Sequence, residues 1–194
     1  MEHLIGLCGK DFVLIAASKS AVRGITVLKS SDDKSRTLNP HCLLAYSGEA
    51  GDTVHFAEYI QANVQLYGMR NEHELNPSAV AAFTRKQLAK SLRSRKPYQV
   101  NLLLGGYDTK TKTPHLYWID YLAAQANVPY AAQGYAAYYC LSIMDRYHKP
   151  DISLEEGLSL LRQCIKELEL RMPIDFKGVI VKVVDEDGVR EISV

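Results

Sequence analysis

Two apolar runs open the chain, with a short polar connection between them. They are Met1–Leu7 and Phe12–Ala17, joined through Gly9-Lys10-Asp11. A short connection that contains glycine predicts a β-hairpin. Because neither run alternates apolar with polar residues along its length, the strands are expected to be buried on both faces of their sheet.

Further short apolar segments, which lack a helical period, predict more strands. Two single strands and two more hairpins are expected, at Ile25–Leu28, Cys42–Tyr46, Gln99–Gly105 with Pro114–Ile119, and Val179–Val184 with Val189–Val194. The segment Ser18–Gly24 is polar and is expected to be irregular.

Two segments in the first half of the chain carry helical signals. In the first, apolar residues recur at three- and four-residue spacing after Asp52, which is expected to cap the helix, and the pattern stops near Gly68. The second begins at Asn76-Pro77, a capping residue followed by the proline that favours a first helical turn. It is expected to end before Pro97.

Two more helices are predicted in the second half. Tyr135–Arg146 is apolar nearly all round and is expected to be buried on more than one side. The last begins at a capping box, in which Ser153 and Glu156 satisfy each other's exposed amide groups, and ends at Pro173. Hairpins favour antiparallel sheets, which paired helices must cover. The order predicts an α+β fold, a four-layer αββα sandwich with two stacked antiparallel sheets between helix pairs, as a single domain over residues 1–194.

The composition and charge of the chain disfavour several classes of function. The net charge of +1 gives no overall attraction to nucleic acid or to a membrane surface. There is no apolar run near the roughly 20 residues of a membrane helix, and no secretory leader is expected. The cysteines, at positions 8, 42, 140 and 164, form no CxxC pair, which is typical of reduced core thiols in a cytosolic or nuclear protein. The histidines are dispersed and show no metal-ligand spacing.

The end of the second predicted helix is basic. Its cations are Arg85, Lys86, Lys90, Arg93, Arg95 and Lys96. They are interpreted either as a solvated face that complements the helix dipole or as a surface for a protein partner. Nucleic acid is disfavoured because no aromatic residues are interleaved with these charges.

Several motifs resemble one known family. Gly48–Thr53 and Phe56–Gln61 are similar to segments of proteasome beta-type subunits. Leu92–Tyr98, Leu103–Asp108 and the short start Met1–Gly6 narrow the resemblance to subunits in the fourth position of the beta ring of the eukaryotic core particle. The resemblance covers essentially the whole chain. It implies the αββα fold of N-terminal-nucleophile hydrolases.

Active members of this family use an N-terminal threonine that is exposed by cleavage at a Gly-Thr bond. Its hydroxyl attacks the substrate carbonyl while its free amine acts as the base. The resemblance places this position at Glu2. The chain contains no Gly-Thr dipeptide, and its first threonine is Thr26. Met1-Glu2-His3 is therefore expected to be an unprocessed end without a nucleophile.

The supporting residues of the family are only partly retained. Ser18 stands where the family has an aspartate, and Gln133 stands where it has a serine. Lys34 and Asp175 match the lysine and aspartate of the family, but the serine that should follow Asp175 is missing from Phe176–Gly178. We therefore expect no catalytic residue in this chain. Lys34 and Asp175 are interpreted as inherited structure, such as a buried or loop-anchoring charge.

The resemblance also implies a cellular setting. The chain is expected to be a non-catalytic structural subunit of the proteasome core particle, in ATP- and ubiquitin-dependent protein degradation in the cytoplasm and nucleus. Its partners would be the other alpha and beta subunits of a stacked four-ring particle. The first two helices would face the alpha ring, and the last two would face the opposite beta ring. The tyrosines at positions 135, 138, 139 and 147 are expected at that interface or in the core. No cofactor, metal, nucleic acid or membrane is implied.

Two other functional classes are alternatives. One is a stand-alone hydrolase of the same fold with Cys8 as nucleophile, which is opposed by the lack of a free amine beside that residue. The other is an adaptor outside the proteasome, which is opposed by the motifs at both helix pairs. His55 is expected to be exposed or at an interface, and neither Ser47 nor Ser18 has the pattern of a serine nucleophile.

Overall fold

The computed structural model describes residues 3–23, 26–172 and 178–193. Within those residues it contains four helices and twelve strands. The helices are α1 (Asp52–Asn71), α2 (Pro77–Ser91), α3 (Ala136–Tyr147) and α4 (Leu154–Arg171). The strands are β1 (Leu4–Cys8), β2 (Val13–Ser18), β3 (Ala21–Arg23), β4 (Thr26–Lys29), β5 (Ser35–Asn39), β6 (Cys42–Gly48), β7 (Val100–Asp108), β8 (Thr113–Ile119), β9 (Gln125–Asn127), β10 (Tyr130–Gln133), β11 (Val179–Asp185) and β12 (Gly188–Ile192).

Two five-stranded antiparallel sheets are stacked on each other. The first has the strand order β10-β1-β2-β11-β12, and the second has the order β5-β6-β7-β8-β9. Strands β3 and β4 form a separate two-stranded ribbon. Helices α1 and α2 pack on the second sheet, and α3 and α4 pack on the first. The predicted αββα architecture is confirmed.

The hairpin formed by β1 and β2 lies at the centre of the stack. β2 is buried along its whole length. In β1, the side chain of Leu4 packs toward the second sheet, whereas that of Ile5 packs toward α3 and α4. The expectation that these strands are buried on both faces is confirmed.

Glycine allows the two sheets to approach closely. A Cβ atom at Gly6 would lie 3.0 Å from both Cδ atoms of Leu116 on the other sheet. A Cβ atom at Gly105 would lie 2.9 Å from Cδ1 of Ile15. Side chains at these two positions would have to displace their neighbours, and close-packed interiors resist such displacement.

Two of the three predicted helix caps are present, at the starts of α2 and α4. Asn76 Oδ1 accepts a hydrogen bond from the backbone N–H of Ala79 at 2.8 Å, with Pro77 as the first residue of α2. At the start of α4, Ser153 N donates to Glu156 Oε2 (2.9 Å) and Glu156 N donates to Ser153 Oγ (3.4 Å). These side chains satisfy amide groups that the first helical turn leaves without partners.

The boundaries of α1 differ from the prediction. The N-cap is Gly51, so Asp52 is the first helical residue and not the cap. The helix continues past Gly68 to Asn71 and ends where Glu72 adopts a left-handed conformation with φ of 56°. Gly68 is buried within the helix, which shows that a glycine near a helix end need not terminate it.

Several short strands were not predicted. β3 lies in Ser18–Gly24, which was expected to be irregular, so that expectation is wrong for its second half. β5, β9 and β10 were also missed. β9 and β10 are three and four residues long, and such short strands are defined by pairing with neighbours more than by a local pattern.

The expectation that the third predicted helix is buried on several sides is wrong within this chain. Only one stripe of α3 is buried, formed by Ala136, Cys140 and Met144. Tyr138 is 81% exposed, and Tyr139 is only partly buried against the core. The apolar composition of α3 therefore exceeds what its contact with the first sheet and α4 can cover.

No helix in the described part of the chain is long and apolar enough to cross a membrane. All four cysteines are free thiols; Cys42, Cys140 and Cys164 are buried, and Cys8 is partly buried.

Candidate functional site

His3 directly follows the position that the resemblance assigns to a nucleophile, precedes β1 and is bonded to Ser18 at the end of β2. Glu2 and Asp175 fall outside the described residues. His3 and Ser18 are joined by two hydrogen bonds: Ser18 N donates to His3 O (3.0 Å), and His3 N donates to Ser18 Oγ (3.2 Å). Ser18 is buried. Its hydroxyl therefore holds the start of β1 in place. Ser18 also has no carboxylate, unlike the aspartate that the family has at this position.

Lys34 lies immediately beside Ser18 at the end of β2. Its side chain is 1% exposed. Its Nζ donates to the carbonyl oxygens of Ser18 (2.8 Å) and Ser20 (3.0 Å), and it lies 3.5 Å from Oδ2 of Asp32. Two of the three N–H donors of the ammonium group are therefore used by backbone carbonyls, and its charge is balanced by the Asp32 carboxylate. The interpretation of Lys34 as a buried, loop-anchoring charge is confirmed, and its partner is Asp32.

Asp32 was not identified from the sequence. It also forms an ion pair with the exposed Lys29 at 3.2 Å, and its backbone N–H donates to Lys19 O at 2.8 Å. The chain between β2 and β5 therefore folds back on itself around the ammonium group of Lys34. The available sequence signal was the pair of carboxylates, Asp32 and Asp33, directly before Lys34.

A second ionic link joins the sheets next to Lys34. Asp33 Oδ2 lies 2.6 Å from Nζ of Lys182 on β11, and that Nζ also donates to Ser35 Oγ at 2.8 Å. The hydrogen bonds from Lys182 and Ser35 keep the pKa of the Asp33 carboxyl below its usual value, even though partial burial opposes this. The link connects the first sheet to the strand that begins the second.

Gln133 spans the two sheets. It pairs with Leu4 in the β10–β1 ladder, and its Nε2 donates to Leu102 O (2.9 Å) and Ile119 O (3.4 Å) on the second sheet. The side chain is buried, and its Oε1 has no hydrogen-bond partner among the described residues. Gln133 is therefore a cross-sheet connector at the position where the family has a serine.

His3 is a buried titratable group that sequence reasoning missed. It is 5% exposed, and its ring lies 6.4 Å from that of Tyr135. Burial is the main cause that lowers the pKa of His3 to about 4, and the positive charge of Lys34 contributes. The imidazole is therefore neutral at physiological pH.

Cys8, the alternative nucleophile, lies at the other end of β1. Burial raises the pKa of its thiol to about 11, and its Sγ lies 3.8 Å from Gly9 O. The nearby His148 directs its Nε2 to the carbonyl oxygen of Cys8, at 2.7 Å, and not to the sulfur. A nucleophilic cysteine needs a lowered pKa and a base aligned with the thiol. The geometry of Cys8 provides neither.

The other side chains considered from sequence do not form a site. His55 is exposed on α1 and packs its ring 5.8 Å from that of Tyr98, and Ser47 is buried in β6. A surface cavity of about 220 Å³ is lined in part by His41, His73 and Asp108. In the described ranges, no group of three or more His, Cys, Asp or Glu side chains could hold a metal ion.

Comparison with known proteins agrees with this architecture. Two stacked antiparallel sheets between helix pairs, with the first hairpin at their centre, define the N-terminal-nucleophile hydrolase class of sandwich. The family model described as proteasome subunit matches residues 2–184, and the chain belongs to that family.

Similar curated proteins specify the kind of subunit. The chain is 65% identical to a probable proteasome subunit beta type-4 of Neurospora crassa over 193 residues, which are 100% of this chain and 95% of that protein. It is 61% identical to the corresponding protein of Schizosaccharomyces pombe, with 100% of both chains covered. It is 57% identical to proteasome subunit beta type-4 of Saccharomyces cerevisiae, with 100% and 98% covered. The predicted family is confirmed, and the chain is a beta subunit of the proteasome core particle.

Lys34 and Lys29 both pair with Asp32, but only Lys34 is buried. Replacing each of them should therefore change the free energy of unfolding by very different amounts. Replacing Lys34 with Met removes the donors for two buried carbonyls, so we expect a loss of about 3 kcal/mol in the free energy of unfolding. The control Lys29→Met removes an exposed ion pair with the same carboxylate and should change it by less than about 1 kcal/mol. Urea unfolding of the full chain measures both values. Equal effects would show that Lys34 is not an anchor.

Burial of neutral His3 predicts an acid-sensitive fold. Below the unfolded pKa of 6.5, the unfolded chain binds a proton that the folded chain excludes until its own pKa of about 4. Stability from this residue is therefore complete above pH 6.5 and is lost as the pH falls toward 4.

Between pH 7.5 and pH 5, His3→Gln should lose about 2 kcal/mol less unfolding free energy than the wild type. The control His73→Gln, at an exposed position, should follow the wild type. Identical pH dependence in all three proteins, measured by urea unfolding at each pH, would refute the assignment to His3.

Proposed function

We propose that this chain is a non-catalytic structural subunit of the beta ring. The observation that carries the proposal is that the side chain of Lys34 is buried and bonded to other residues of the chain. Its ammonium group is buried, donates hydrogen bonds to the carbonyl oxygens of Ser18 and Ser20, and is paired with Asp32, so its charge and two of its donors are engaged within the chain. A lysine that assists a nucleophile must be able to face the reacting atoms.

Two further observations support the absence of catalysis. Ser18 and Gln133, at positions where active members have an aspartate and a serine, use their side chains to bind the backbone. The sequence also contains no Gly-Thr dipeptide at which an N-terminal threonine could be released. The alternative of a hydrolase using Cys8 is not favoured because its thiol is protonated at neutral pH.

The proposal includes a place in the particle. The chain assembles with other alpha and beta subunits in a stacked four-ring particle, with α1 and α2 facing the alpha ring and α3 and α4 facing the opposite beta ring. Support comes from apolar side chains that the chain leaves exposed on α1 and α3, which are Val54, Tyr59, Leu66, Met69 and Tyr138. Exposed apolar surface and aromatic residues are typical of subunit interfaces.

As part of the particle, the chain is proposed to share its degradation pathway and its cellular location. The subunit helps to enclose the chamber in which proteins are degraded in an ATP- and ubiquitin-dependent manner, in the cytoplasm and nucleus. The beta type-4 relatives are named as proteasome subunits, which supports the proposed role in protein degradation. The free, mostly buried thiols are compatible with a reducing compartment.

Expression of the tagged full chain in a fungal cell tests the proposal. Native mass spectrometry of the purified material should find the chain in a large particle with other alpha and beta subunits, at one copy per beta ring. The separately refolded chain should not hydrolyse fluorogenic peptides above the rate of buffer. A stable monomer that cleaves such peptides would contradict the proposal.

A further inference from the structure

The end of α2 and the turn after it carry an unusual concentration of positive charge. Between Glu74 and Asp108 the chain has no Asp or Glu. The same interval contains the six side chains that we call the basic patch, Arg85, Lys86, Lys90, Arg93, Arg95 and Lys96. A helix rises about 1.5 Å per residue, so these charges lie within roughly 20–25 Å of one another.

The basic patch is exposed and is not neutralised within the chain. All six side chains are exposed, and none takes part in the ion pairs that join described residues. Two carboxylates on neighbouring α1 have other contacts: Asp52 accepts from Gln99 N at 3.3 Å, and Glu58 lies 3.4 Å from Arg36. The patch therefore keeps a net positive field in a chain whose total charge is only +1.

The helix dipole explains only a small part of this arrangement. The dipole acts on the last helical turn, where Lys90 is the basic residue. Arg93, Arg95 and Lys96 follow the end of α2. Lys86 and Lys90 are four residues apart on one helix, where like charges repel and weaken the helix. Local stability alone therefore does not favour these residues.

The surroundings of the basic patch resemble a protein interface. Leu92 within the patch is 36% exposed, and Val54 and Tyr59 on adjacent α1 are 39% and 44% exposed. Tyr98 is held against Phe56 with ring centroids 5.2 Å apart, so it is not free to stack on a base. Arginine beside apolar and aromatic side chains is typical of protein interfaces, whereas single-stranded nucleic acid needs exposed stacking platforms.

We propose that the basic patch is a docking surface for a carboxylate-rich segment of a neighbouring protein subunit. The proposal rests on the proposed function, because it needs the chain to be part of an assembly. Complementary charge there selects the correct neighbour and orients it during association, while the exposed apolar residues supply contact area.

Zero-length cross-linking of the intact particle tests this contact. A carbodiimide joins a lysine amine to a carboxylate only where the two groups touch. We expect Lys86, Lys90 or Lys96 to become linked to Asp or Glu residues of one neighbouring subunit. The same lysines should react at least about threefold more slowly with an amine-acylating reagent than the exposed Lys10, Lys110 and Lys149, because ion-paired amines are shielded.

A matched pair of triple variants provides the functional readout. Lys86→Gln, Lys90→Gln and Lys96→Gln remove three charges from the patch, and Lys10→Gln, Lys110→Gln and Lys149→Gln remove three scattered, exposed charges. In cells that also express the wild type, the patch variant should enter particles about threefold less often or worse, because it lacks three of the charges that would pair with carboxylates of the neighbour. The scattered variant should enter as the wild type does.

Three results would overturn the inference. One is full acylation of the patch lysines without any cross-link, and a second is equal incorporation of the two variants. The third is loss of lysine protection after nuclease treatment, which would identify nucleic acid as the occupant. Each of these results leaves the chain within the particle, whereas failure of the proposed function would leave it outside.

Discussion

The burial of β1 and β2 between a second sheet and a helix layer constrains the rest of this chain. A hairpin that is apolar on both faces is stable only if another sheet covers one face and helices cover the other. The second sheet can come close enough because Gly6 and Gly105 carry no side chains at the contact. The ionic and amide links of Lys182 and Gln133 then connect the sheets at further points.

The same constraint determines what the start of β1 can do. In a catalytic relative, this point would present a nucleophile with polar groups directed at it. Here the polar groups are directed at the chain itself: Lys34 holds two carbonyl oxygens, and Ser18 holds the backbone of His3. The imidazole of His3 next to them is buried and neutral at physiological pH. The described geometry at this end of β1 fits the proposed role in assembly, in a chain that keeps the fold of a hydrolase.

Sequence reasoning was most successful where the determining interactions are local. The caps at Asn76 and Ser153 were predicted correctly because each requires only residues within one turn. β10 and the bridging role of Gln133 could not be predicted, because both depend on strands more than ten residues away. The burial of α3 was predicted wrongly within this chain because some of its apolar residues, such as Tyr138, lie on a face that the described residues leave exposed. Asp175 and Glu2 lie outside the described residues, so their interpretation stays a prediction, as does the single-domain assignment.

The intact mass of this subunit in particles treated with an electrophile specific for N-terminal threonine tests the central claim most directly. The account predicts that the catalytic beta subunits gain the mass of the adduct, while the mass of this subunit is unchanged. An adduct on this chain, or a mass that corresponds to a new N-terminal threonine, would contradict the account.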